Sequence, residues 1–221
     1  MNTAPIGILL VDDHAIVREG YRALFARQPG LRVLAEAGDG ATAYQLFKDQ
    51  HPDVVITDIS LPGSSGLELI SRIKQRAPKA RILVFSMHQN PGIALTAIRA
   101  GALGYVTKSS PPEVLLRAIS DVQAGRHALS GDIAQALAIE QLRGEQLALD
   151  ALTVREFEIL TMLLDGKGTG TIASALNISP KTVCNCHYLI KRKLGVGSDI
   201  ELVRLAIKLN VMDLLQLAAT P

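Results

Sequence analysis

Residues 53–69 read DVVITDISLPGSSGLEL. A short run of β-branched and aliphatic residues, Val54–Thr57, stops at Asp58, and after a stretch containing Pro62 and Gly63 the apolar residues of 65–76 recur at helical spacing. A buried strand that ends on a carboxylate and hands over to a helix is one step of a β-α repeat. The same alternation continues on both sides. Comparable runs occur at Ile6–Val11, Arg32–Ala37, Ile82–Phe85 and Gly104–Thr107, with helical spacing over roughly 14–27, 40–50, 91–100 and 112–124. Pro29-Gly30, Pro52 and Pro78 fall between these elements, where they interrupt nothing. Near-continuous apolar strands separated by helices imply a parallel sheet covered on both faces. Residues 1–125 therefore read as a doubly wound α/β domain with a five-stranded parallel sheet.

The whole chain has 221 residues, 48% of them hydrophobic and 20% charged, with no Trp, which leaves room for two modest domains with real cores. No apolar run approaches the ~18 residues of a membrane span, and MNTAPIGILLVDDHA meets two aspartates too soon to be a signal peptide. A cytoplasmic protein without membrane contact is expected. The two cysteines, Cys184 and Cys186, lie too close together to staple distant parts of the chain. Basic and acidic residues number 13 and 11 over 1–125, 2 and 4 over 126–150, and 8 and 6 over 151–221. Neither end is a basic block, so any affinity for nucleic acid must come from a local patch.

After residue 125 the pattern changes. SGDIAQALAIEQLRGEQ, residues 130–146, has helical spacing and no strand signal, giving a short helix and then an exposed tether around 143–150. Residues 151–221 read as helical throughout. Thr153 and Glu156 form a capping box, and Phe157, Leu160, Leu163 and Leu164 make an apolar stripe that Gly166 ends. A second helix covers 169–176. Ser179-Pro180 opens a third that runs to Gly195, and SDIE at 198–201 opens a fourth with another capping box, through Leu209. Four short helices make a small all-α domain.

In an open parallel sheet, ligand chemistry gathers beyond the carboxyl ends of the strands. Here those ends carry Asp12-Asp13, Asp58, Ser86 and Lys108. One strand-end aspartate can simply face solvent. Acids on two strands, with a hydroxyl and an amine on two others, converge on one rim, and crowded carboxylates call for a cation such as Mg²⁺. A dinucleotide site would need a Gly-rich turn where the chain has DDHAIVREG. A dehalogenase-type phosphatase would want a second carboxylate two residues after Asp58, where Ser60 stands.

With its acidic pair, DISLPGSSGLEL around Asp58, FSMH and GYVTKSS, the segment 1–125 resembles a two-component receiver domain along its whole length. The resemblance implies a flavodoxin-like sheet of order 2-1-3-4-5. It also implies that Asp58 accepts a phosphoryl group from a sensor histidine kinase or a small phosphodonor. Asp13, Asp58 and the Ser60 carbonyl would hold Mg²⁺, with Asp12 acting through water; Lys108 and Ser86 would bind phosphoryl oxygens. Tyr105 would be the switch aromatic, turning inward as Ser86 moves toward the phosphate. Apart from Mg²⁺-dependent phosphorylation and dephosphorylation at Asp58, no enzyme activity is implied. His88 is expected at the surface.

The helix before SPKT, the short turn and the helix after it have helix-turn-helix spacing, whose second helix enters the major groove. Within TVCNCHYLIKRKLG, residues 182–195, Val183, Cys186, Ile190 and Leu194 mark the buried face. Cys184, Asn185, Tyr188 and Arg192 lie opposite, bordered by Lys181, Thr182, Lys191 and Lys193 as phosphate contacts. Cys184, Asn185 and Tyr188 are the expected base readers, Asn185 being able to pair with adenine through two hydrogen bonds. The bland alternative is an exposed amphipathic helix with solvated charges. Zinc is disfavoured, because residues two apart on a helix point about 200° apart and no second ligand pair is evident.

LTVREFEIL, IASALNISPKTV, IKRKLGV and SDIELVRLAI resemble the LuxR-type helix-turn-helix of NarL/FixJ response regulators. Cys184 stands where Lys is frequent and Cys186 where His is common. GKGTGTIA places Gly170 and Thr171 at positions usually held by basic and acidic residues, and its three closely spaced glycines should loosen the second helix's start. The resemblance implies a phosphorylation-controlled transcription regulator that binds double-stranded DNA as a homodimer, through two half-sites one helical turn apart. A signalling adaptor whose helical domain binds protein instead of DNA is the alternative.

Overall fold

The computed structural model describes residues 4–62, 65–143, 151–176 and 178–209. The chain divides into two compact units, residues 1–87 with 97–133, and residues 88–96 with 134–221.

Along residues 1–125 the expected alternation holds. Strands β1 (Ile6–Val11), β2 (Leu31–Ala37), β3 (Val54–Thr57), β4 (Ile82–Ser86) and β5 (Gly104–Thr107) alternate with helices α1 (Ala15–Ala26), α2 (Gly40–Gln50), α3 (Gly66–Arg76), α4 (Pro91–Ala100) and α5 (Pro112–Gln123). Sequence spacing misses one element. A two-residue strand, β6 (Ala128–Leu129), pairs in parallel with Gly104–Tyr105, so the sheet has six strands, not five, in the order β2-β1-β3-β4-β5-β6. Two residues are too few to show a period of two, and the pairing depends on Gly104. A Cβ there would lie 2.7 Å from the Ala128 carbonyl oxygen and 2.8 Å from Leu83 Cδ1.

All strand contacts are parallel, and β1 and β3 to β5 are buried along almost their whole length. Alternate side chains divide between the two faces. Ile8, Leu10, Val54, Ile56, Leu83, Phe85 and Val106 pack with Phe25 of α1 and with Leu115, Ala118, Ile119 and Val122 of α5. The order places β1 and β3 side by side, so the ends of both acid-bearing strands adjoin. The helix α6 (Gly131–Arg143) follows β6 directly. Its first turn is tied to the sheet, since Thr107 Oγ1 donates to Asp132 Oδ2 at 2.8 Å. The tether expected around 143–150 lies, apart from Arg143 at the end of α6, outside the described residues.

In the second unit, α7 (Val154–Leu164), α8 (Thr169–Ala175), α9 (Pro180–Leu194) and α10 (Asp199–Lys208) are the four expected helices. Thr153 closes the capping box: its side chain accepts from Glu156 N–H and the Glu156 carboxylate accepts from Thr153 N–H. At α10 the box is only half made. Ser198 caps Glu201 N–H, but the Glu201 carboxylate accepts from Gly197 N–H at 2.8 Å, one residue beyond the expected partner. The start of α8 has Gly168 as N-cap with no side-chain bond. Gly195, at φ 68°, ends α9 in the left-handed conformation that favours glycine. Phe157, Ile159, Leu160, Ile172, Val183, Ile190, Leu202 and Ala206 are among the buried apolar positions of these four helices.

Candidate functional site

The carboxyl ends of β1, β3 and β5 bring three side chains into direct contact. Lys108 Nζ lies 2.5 Å from Asp12 Oδ2 and 2.5 Å from Asp58 Oδ2. All three side chains are buried, Asp12 and Asp58 to within 5% of full burial. The other oxygen of Asp58 accepts from the backbone N–H of Ile59 at 2.6 Å and of Ser60 at 3.3 Å. Burial alone would depress the Lys108 ammonium, but Asp58 and Asp12 outweigh it and hold the group above the ordinary lysine value.

Asp13 sits at the mouth of the rim, one-third exposed. His14 Nδ1 lies 2.7 Å from its Oδ1 and 3.3 Å from Asp12 Oδ1. Among the described residues this Asp12-Asp13-His14 group is the one cluster of ligand atoms near enough to share a metal ion. Counted in ionised form, three carboxylates against one ammonium leave two negative charges on the rim. That excess and the hard oxygen donors fit a divalent cation of the Mg²⁺ type.

Ser86 and Tyr105 are both fully buried. Parallel register sets Val84 beside Tyr105 and Ser86 beside Thr107. The Ser86 side chain is hydrogen-bonded to the Tyr105 hydroxyl, while burial pushes that phenol far above its ordinary value. The ring thus already occupies an inward position, with Ser86 engaged by it. His88, expected at the surface, is neither buried nor fully exposed.

Behind Asp58 the chain passes the first turn of α3 at backbone distance. Gly66 N–H donates to the Ile59 carbonyl at 2.8 Å, and a Cβ on Gly66 would lie 1.9 Å from the Asp58 carbonyl oxygen and 2.9 Å from Ile59 Cα. Backbone atoms cannot step aside as a side-chain tip can. Gly66→Ala is therefore expected to lower unfolding stability by about 3 kcal/mol in a urea titration, at the upper end for overpacking. It should also slow any chemistry at Asp58, since the loop must shift.

On α9, Lys181, Thr182, Cys184, Asn185, Tyr188, Arg192 and Lys193 are exposed, Tyr188 to 65%. Val183 and Ile190 are buried. Cys186 and Leu194 are half-buried, not fully buried as the spacing suggests. Burial pushes the Cys186 thiol up, with Glu156 adding to the effect. Two expected phosphate contacts are engaged within the unit: Lys193 Nζ lies 2.6 Å from Glu156 Oε2, and Lys191 Nζ 2.8 Å from Asp199 Oδ1, which His187 Nε2 also meets at 3.0 Å. Glu156 is held below the usual carboxylate range, because bonds from Lys193 and Thr153 overcome the effect of its burial. Lys181, Asn185, Tyr188 and Arg192, at steps of four, three and four, form the outward stripe.

Sequence reasoning did not single out His14, Arg18, Thr107 with Asp132, or the Glu156–Lys193 pair as contacts. His14 was signalled by its place directly after the acidic pair. Asp132 and Lys193 meet partners 25 and 37 residues away, which no local spacing shows.

Sheet order and rim define the class: a receiver-type domain in front of a helix-turn-helix unit. Family comparison agrees, with residues 8–120 matching the response regulator receiver domain and residues 150–206 the LuxR family of bacterial regulatory proteins. The chain is 41% identical over 210 residues to the transcriptional activator protein ExaE of Pseudomonas putida, covering 94% of this chain and 98% of that protein. It is 35% identical over 205 residues to the response regulator UvrY of Escherichia coli K12, covering 92% and 94%. Among solved structures, the Salmonella typhimurium response regulator RcsB superposes with a TM-score of 0.78 at 27% identity, over 94% of this chain and 99% of that one. A structure of RcsB bound to the promoter rprA in the presence of the phosphomimetic BeF3⁻ superposes at 0.74, at 27% identity, over 90% and 97%. The chain belongs to the NarL/FixJ family of response regulators, with a receiver and a LuxR-type DNA-binding domain. Among the described residues no helix is long and apolar enough to cross a membrane.

Proposed function

We propose that this chain is a cytoplasmic, phosphorylation-controlled transcription regulator in which residues 1–125 receive the signal, 126–150 link, and 151–221 bind double-stranded DNA. The observation that carries the proposal is the buried Asp58 carboxylate, salt-bridged to a lysine that also grips Asp12. Asp58 is the nucleophile. One of its oxygens forms the new O–P bond as the P–N bond of a kinase phosphohistidine, or the P–O bond of a small acyl phosphate, breaks and the leaving group keeps the electron pair. Asp13, Asp58 and the Ser60 carbonyl would hold Mg²⁺, with Asp12 acting through water; the bound ion would supply neutralisation of the negative charge that gathers at this rim. Lys108 exchanges its Asp58 contact for a phosphoryl oxygen. Ser86 leaves the Tyr105 hydroxyl to bind another, which couples the rim to the ring.

The phosphorylated form binds DNA as a homodimer, with Cys184, Asn185 and Tyr188 toward the bases and Lys181, Thr182, Lys191, Arg192 and Lys193 toward phosphates. Fluorescence anisotropy against duplexes selected from random DNA, across a salt series and with and without an acyl phosphate, tests this. Phosphorylation should tighten binding, and log affinity should fall steeply with log salt. Arg192→Ala should shallow the slope by about one phosphate contact, and Lys193→Ala by less, because Glu156 already holds that ammonium. A flat salt dependence would favour the protein-binding adaptor instead.

A further inference from the structure

Asp12 is fixed through every polar group it has. Its N–H donates to the Ala37 carbonyl at 3.0 Å, Oδ1 accepts from His14 N–H at 2.9 Å, and Oδ2 meets Lys108 at 2.5 Å. Its carbonyl oxygen accepts from Nη1 of Arg18 at 2.5 Å, from the first turns of α1. That carbonyl shares a rigid peptide plane with the N–H of Asp13. A bond to one end of the plane therefore holds in place the Asp13 N–H and Cα, from which the side chain departs. Asp13 has much less to hold it. Its carboxylate is one-third exposed and pairs with His14, itself two-thirds exposed.

Arg18 is in turn anchored on the side away from the acids. Its Nε lies 3.8 Å from Glu36 Oε2 on β2, and Arg22 Nε meets the other oxygen of Glu36 at 3.4 Å. The Arg18 side chain is only 20% exposed. Glu36 faces the guanidinium charge and keeps the group beside β2, so Arg18 acts through its hydrogen bond and does not swing in as a second cation among the carboxylates. Partners one shell out from a metal ligand orient it in this manner.

We propose that Arg18 is a positioning residue for metal-assisted phosphorylation: through the Asp12 carbonyl it fixes the peptide that presents Asp13 to the divalent cation. The inference rests on the assignment above of Asp13 and Asp58 as the residues that hold that cation.

Two measurements on the full chain test it: Mn²⁺ binding followed by electron paramagnetic resonance, and the Mg²⁺ dependence of phosphorylation by a small acyl phosphate. Arg18→Ala should weaken Mn²⁺ binding by about tenfold, as loss of an outer-shell partner does. The half-saturating Mg²⁺ concentration should rise by the same factor, while the rate at saturating Mg²⁺ changes by less than about twofold. Arg18→Lys keeps one donor for the carbonyl and should recover most of the affinity. If Arg18→Ala fails to fold, seen as lost helical ellipticity, Arg18→Lys and Glu36→Gln carry the test, with the Gln variant losing affinity because the guanidinium is freed from its anchor. Wild-type Mn²⁺ affinity in the variants, or a defect confined to the saturating rate, overturns the proposal. Wild-type Mn²⁺ affinity in Asp13→Asn instead overturns the metal assignment beneath it, a result that the Arg18 variants cannot produce.

Discussion

Asp58→Ala is expected to abolish labelling of the protein by a radioactive acyl phosphate in the presence of Mg²⁺, to below about 1% of the wild-type extent, since the substitution removes the nucleophile itself. Other carboxylates stand close by, so the result is informative. Asp12 is as buried as Asp58 and shares the same lysine. Asp13 is more open to a donor. The second oxygen of Asp12 receives one backbone N–H, that of His14, whereas the second oxygen of Asp58 receives two, those of Ile59 and Ser60, which fix the carboxylate at the end of β3. Label that persists on the Ala variant and maps to Asp12 or Asp13 would move the acceptor to β1. Asp58→Asn should behave as the Ala variant does in labelling while leaving the fold better preserved, because the amide can still accept from Ile59.

Lys108→Ala is expected to destabilise the metal-free protein by about 3 kcal/mol in urea, the range for stripping the partner from a buried ion pair. Two carboxylates, each within 5% of full burial, would be left facing one another without a counter-charge. Millimolar Mg²⁺ should return part of the loss, because a dication can stand in for the ammonium. The double variant Lys108→Ala/Asp58→Asn should be more stable than Lys108→Ala alone, which a chevron or equilibrium titration reads as strong non-additivity. Equal stability of single and double variants would show that the rim is wetter than its burial indicates. The sign of the pH effect follows from the raised value of Lys108. Its contribution is fully present below the ordinary lysine value of 10.5 and is lost only as the pH climbs through the still higher folded value. Neutral buffers therefore leave it intact.

Much of this architecture could be read before any coordinates. Strands β1 and β3 to β5 announce themselves because they are buried along almost their whole length, which makes them continuous aliphatic runs, and three of the four later helices, α7, α9 and α10, begin at a capping residue with a local bond. What escaped is non-local or too short. β6 spans two residues and exists because Gly104 leaves room for a neighbouring backbone. The Glu201 carboxylate chose Gly197 over Ser198, a matter of one residue that the SDIE motif does not encode. At the rim, strand-end chemistry pointed to Asp12, Asp13, Asp58, Ser86 and Lys108, of which Asp12, Asp58 and Lys108 touch one another. It did not indicate that Ser86 would be engaged by Tyr105, or that Lys193 would be turned to Glu156 across 37 residues of sequence. Helical periodicity says which face a residue occupies, but not which partner a long flexible side chain finds there.

The bond between Thr107 and Asp132 bears on how the protein can be cut. A fragment ending at residue 125, where the sequence pattern changes, would remove Ala128 from the side of Gly104 and strip Thr107 of its carboxylate. The backbone of β5 would then be an open sheet edge, the kind of surface on which chains pair with one another. A fragment carried past Ile133, which is fully buried, keeps that edge covered. Limited proteolysis should likewise spare residues 126–133 in the folded protein, since nicking enzymes need backbone that can leave its hydrogen bonds.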